Sequence, residues 1–146
     1  MKHYIIILVA FIAGIIMFNS CGESSTKEQK PISIEGVFSL DKPSLVESLL
    51  LTADKNDETA YALEKMFAQG MAEMLDSYIT FTKDGYATIV SKAKNEPTAV
   101  TYTATKDSVI LYENAARVLA LKYSKNEISC TEVEDGKSMT FRFIRQ

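Results

Sequence analysis

The sequence predicts a mainly β fold: an antiparallel up-and-down meander of about eight strands closing into a β-barrel, with a two-helix insert between strands one and two. Three observations carry this. From Tyr78 to the end, apolar and polar residues alternate with period two. Turn signals break that alternation roughly every eight to twelve residues. The segments so marked off number seven, and one more precedes the helices, which is the number at which a meander can close on itself. Short connections make sequential strands antiparallel neighbours, and closure removes exposed edges.

The elements follow in order. After Pro31, ISIEGVFSL is rich in β-branched and aromatic residues and reads as strand one. Asp41-Lys42-Pro43-Ser44 opens a helix, with Pro43 suited to a first turn and Ser44 and Glu47 at capping-box spacing. Leu45, Leu49 and Thr52 continue it. A second helix starts at Asn56 or Asp57 and runs to about Leu75. Its apolar stripe, Ala60, Leu63, Met66, Phe67, Met71, Met74 and Leu75, recurs at spacings of three and four. The stripe reads as a face buried against the sheet; the alternative is an adaptable methionine-rich binding surface. The hairpins then follow: YITFT and YATIVSK about Lys83-Asp84-Gly85, TAVTYTAT and SVILYE about Lys106-Asp107. RVLALKYS and EISCTEV meet at Lys125-Asn126, and Glu134-Asp135-Gly136 leads into KSMTFRFIR.

Alternation assigns an inward set: Ile79 and Phe81; Val100, Tyr102 and Ala104; Leu119, Leu121 and Tyr123; Ile128 and Cys130; Met139, Phe141 and Phe143. Thr80, Ser129, Thr131, Thr140 and Arg142 then face out. Strands 86–92 and 108–113 are apolar on both faces, so the helices are expected to cover them from outside. Phe141 is expected at the seam with strand one. Cys130, in phase with Ile128, reads as a buried thiol rather than a reactive one.

Ahead of this domain, Met1-Lys2-His3 precedes an uncharged run from Tyr4 to Phe18, then Asn19, Ser20 and Cys21. The run suits the ~7–15 residues of a signal-peptide core rather than the ~18 or more of a membrane span. It resembles a bacterial lipoprotein signal, with Phe18 and Asn19 departing from the usual outer lipobox residues. The resemblance implies removal of residues 1–20, acylation of Cys21 and attachment to a membrane through those chains. Gly22 after the cysteine, where an aspartate would retain the protein, implies the outer membrane of a Gram-negative envelope, on its periplasmic or surface face. GESSTKEQKP then holds no aliphatic or aromatic side chain, so residues 21–31 form a lipidated flexible tether to a domain spanning 32–146.

The net charge of −3 becomes −4 without Lys2, and acidic and basic residues are interspersed, so no nucleic-acid partner is expected. The single histidine, His3, leaves with the signal, and glycines are scattered. Imidazole-activated nucleophiles, common metal sites and phosphate loops therefore have no residues to build them, and neither enzyme activity, metal nor cofactor is expected.

Glu35-Gly36-Val37-Phe38 on strand one, two helices, then Ile79-Thr80-Phe81-Thr82-Lys83-Asp84-Gly85 and a run of hairpins resemble the lipocalin-like domains of small lipoproteins of unknown function. Phe38 stands where that family carries tryptophan. The resemblance implies a barrel holding either a solid core or one small ligand. On the first reading the protein is a membrane-anchored interaction or structural module. On the second it is a carrier of a small apolar ligand, with Phe81, Tyr102, Leu121, Tyr123 and Phe141 lining the cavity and a tyrosine hydroxyl meeting the ligand's polar end.

Overall fold

A computed structural model describes residues 29–94, 96–134 and 137–146. The signal, Cys21, most of the tether and the Asp135-Gly136 turn lie outside the described residues. The chain runs β1 (Gly36–Leu40), α1 (Lys42–Leu49), α2 (Glu58–Met74), β2 (Ser77–Phe81), β3 (Tyr86–Ser91), β4 (Thr98–Ala104), β5 (Ser108–Glu113), β6 (Ala116–Ser124), β7 (Glu127–Glu134) and β8 (Lys137–Arg145). The strands close into an eight-stranded antiparallel barrel in sequence order, β8 returning to β1.

The alternation sets the register, because a slip of one residue would turn every apolar side chain outward. Ile79, Phe81, Val100, Tyr102, Ala104, Leu121, Ile128, Cys130, Met139, Phe141 and Phe143 are all buried, and Leu119 and Tyr123 are half-buried against them. Phe81 sits between Phe38 and Tyr102, edge to face with each, at centroid distances of 5.6 and 5.0 Å. Turn chemistry matches the connections. Gly85 takes φ +87° in the β2–β3 hairpin, and Asn114 and Ala115 form a two-residue β5–β6 loop with φ of 50° and 64°.

Two seams depart from a uniform ladder. β8 pairs β1 only from Leu40↔Phe143 to Phe38↔Arg145, so Phe143, not Phe141, stands opposite strand one. Beyond it the chain turns into α1, which takes over the β8 edge: Asp41 N–H donates to Arg142 O at 2.8 Å, and Thr140 N–H donates to Ser48 Oγ at 2.9 Å. The helix therefore has to begin at Asp41. Its carboxylate, not the Ser44 hydroxyl, is the cap, accepting from Ser44 N–H at 3.3 Å. The helices consequently pack on β8 and on each other, and not over the outer faces of 86–92 and 108–113 as the apolar character of those strands suggests. At the second seam, β6 pairs β7 only over Lys122–Ser124 against Glu127–Ser129. Past that point residues 116–121 and 130–134 part, and the upper end of the β7–β8 hairpin leans toward α1.

The barrel thus has a helix end and an opposite end, which the segment before β1 closes. Ile32 bridges Ala104, and the buried Ile34 plugs the opening.

Candidate functional site: an apolar cleft at the helix end

Asp57 caps α2, accepting from Ala60 N–H at 3.0 Å, and the helix is apolar along one side for most of its 17 residues. Only Ala68, Met71, Ala72 and the following Leu75 are buried. Small side chains at 68 and 72 let this last half of the helix lie close to its neighbours, while Leu63 (64% exposed), Met66 (69%) and Phe67 (46%) project from the half beyond. Met74 is also exposed, at 41%. The stripe expected to be covered is therefore largely open, because the barrel end underlies only the C-terminal turns of the helix.

Between that open face, α1 and the start of β8 lies a cleft of about 370 Å³. Its apolar lining is Leu49, Leu63, Phe67, Ala68, Met71 and Met139, and its polar lining is Ser48, Thr52, Glu64 and Ser138. Ion pairs hold the insert in place: Lys42 at the start of α1 lies 3.0 Å from Glu73 and 3.4 Å from Asp76, and Lys92 lies 3.6 Å from Glu73. The hydrogen bond from Lys42 holds the Glu73 carboxyl below its ordinary range, and the same bond raises Lys42. These groups are solvent-accessible, so they orient the insert more than they stabilise it.

Glu132 shares the phase of Ile128 and Cys130 on β7 and so points to the barrel side, directly opposite Met139. It is half-buried, and burial raises its carboxyl above the usual range. Its carboxylate makes no ion pair or hydrogen bond with any side chain described outside residues 134–137.

The residues expected to line a ligand cavity sit elsewhere. Phe81, Leu121 and Phe141 are buried in the barrel, and Tyr123 packs half-buried against them. Tyr102 faces the plugged end. Its hydroxyl accepts from Ile34 N–H at 2.9 Å and has the carbonyls of Ile34 and Thr82, at 2.8 and 2.7 Å, to receive its one proton. None of the five is among the residues lining the cleft. The lining comes from α1 and the residues after it, the α2 stripe and the start of β8; of the stripe's methionines only Met71 contributes.

The plugged end has its own latch. The Arg145 guanidinium lies 4.7 Å above the Phe38 ring, and its Nε donates to Lys125 O at 2.7 Å and its Nη1 to Glu35 O. A β-carbon on Gly36, whose φ is +134°, would come within 2.5 Å of Arg145 Nη1. The backbone angle favours glycine there, and any side chain would have to displace the guanidinium.

Among the described residues no three His, Cys, Asp or Glu side chains gather as a metal site, and no helix is long and apolar enough to cross a membrane. No protein-family model, curated protein or solved structure matches the chain.

Proposed function

We propose that this protein is a lipid-anchored module of the cell envelope, tethered through acylated Cys21, whose barrel is a scaffold and whose helix-end cleft takes up a small apolar ligand. The observation that carries the ligand reading is the cleft itself. Its volume falls within the ~300–1,000 Å³ of small-molecule sites, and six of its ten lining residues are apolar. The barrel interior, filled by Phe38, Phe81, Tyr102 and Phe143, supports a scaffold role rather than a second site. The lipid anchor rests on the sequence of residues 1–21 alone.

The barrel closes within residues 32–146, so the soluble chain from residue 22 is a sufficient sample. The neutral dye N-phenyl-1-naphthylamine should bind it saturably at one site, against the dark background of a chain without tryptophan. The double variant Leu63→Arg, Phe67→Arg, altered only at exposed positions, should keep its thermal unfolding and lose the dye. Absence of saturable binding would leave the barrel as an interaction module without a small ligand. Membrane fractionation of full-length Cys21→Ala tests the anchor separately, with release to the soluble pool expected.

A further inference from the structure

Among the cleft's lining residues only Glu64 carries a charge, and it is negative. On the barrel side Glu132 adds a second carboxylate close by. Glu132 faces inward in the same phase as Ile128 and Cys130, across the strand from Met139, which lines the cleft. Opposed residues of an antiparallel pair have β-carbons ~4.5–5.5 Å apart, so the carboxylate stands beside the cleft's inner wall. Beyond the β6–β7 ladder it is half-buried rather than enclosed. Outside residues 134–137 no described side chain pairs with its carboxylate.

We infer that the cleft's ligand is a single-chain amphiphile with a cationic head, its apolar chain against Leu63, Phe67, Met71 and Met139 and its protonated amine paired with the Glu132 carboxylate. This rests on the ligand reading above and adds the class of ligand. A fatty-acid carboxylate would bring a like charge to a cleft flanked by Glu64 and Glu132. A cation gives the half-buried Glu132 carboxylate a charge-assisted hydrogen bond in a partly desolvated place, where such bonds are strong. A bilayer is the poorer occupant of this face. The described chain begins at the plugged end, with Gln29 bonded to Asp107 in the β4–β5 turn, so an anchor at Cys21 draws from the end opposite the cleft.

The test displaces bound N-phenyl-1-naphthylamine with dodecylammonium, dodecanol and dodecanoate, each below micelle-forming concentrations. Dodecylammonium should displace the dye at a concentration at least about tenfold lower than dodecanoate, equivalent to ~1.4 kcal/mol, with dodecanol between them. Glu132→Gln should lose most of the preference for the amine; Glu132→Asp, which withdraws the charge by one methylene, should reduce it; Glu64→Gln, which removes only a charge at the rim, should keep the larger part of it. Dye binding with equal displacement by all three heads overturns the inference and leaves the cleft reading intact. A preference that survives both Glu132 variants overturns it as well, and so does a preference lost only in Glu64→Gln. A protein that binds no dye removes both readings.

Discussion

The two ends of this barrel are built from the same strands and finished in opposite ways. At the plugged end the polar groups are matched: the Tyr102 hydroxyl serves Ile34 and Thr82, the Arg145 guanidinium serves Lys125 and Glu35, and Phe38, fully buried, lies under that guanidinium. At the helix end Leu63, Met66 and Phe67 face solvent, β6 and β7 part, and the Glu132 carboxylate pairs with no side chain described outside residues 134–137. Closure at one end secures the barrel and so lets the other remain incomplete. Binding surfaces are drawn from regions whose burial is unfinished, because a fully satisfied region has nothing left to offer a ligand.

Substitutions at the two ends should therefore separate sharply in urea titration and thermal unfolding. Phe38→Ala removes a fully buried ring, its edge-to-face partner Phe81 and the surface under Arg145, and should cost ~3–5 kcal/mol. Gly36→Ala should cost ~1–3 kcal/mol, because φ of +134° is strained for any side chain and Arg145 must move. Asp57→Ala, at the helix end, should cost ~1 kcal/mol by removing the cap on Ala60 N–H, and should show chiefly as faster amide exchange along Glu58–Met74. Leu63→Ser should change stability by less than ~0.5 kcal/mol while weakening dye uptake. If Leu63→Ser were as costly as Phe38→Ala, the helix end would be a structural buttress and the contrast between the ends would fail.

A quieter feature sharpens the same contrast. Ala115 holds φ of 64° in a two-residue loop that favours glycine, at the helix end of the β5–β6 hairpin. Ala115→Gly should raise stability slightly, by up to ~1 kcal/mol, and leave dye affinity unchanged.

The sequence by itself determined the strand count, the place of the insert and the inward set, because period-two alternation records directly which side of each strand must leave water: Phe81, Val100, Ile128 and Phe143 are buried as that pattern requires. It also located both helices and the Asp57 cap of the second, but placed the first cap at Ser44, three residues past Asp41, and carried that helix to Thr52, beyond its end at Leu49. Only the tertiary structure decided what each apolar face would meet. The stripe of α2 is as periodic where it is exposed, at Leu63 and Met66, as where it is buried, at Met71 and Leu75, since periodicity specifies a face and not its neighbour. Tyr102 looked like a ligand's partner until Ile34, 68 positions away, was seen to take its hydroxyl. Glu132 carries no signal in the sequence, because its surroundings depend on Met139 across the β7–β8 pair and on how far β6 runs beside β7, both set by where the barrel's seams close.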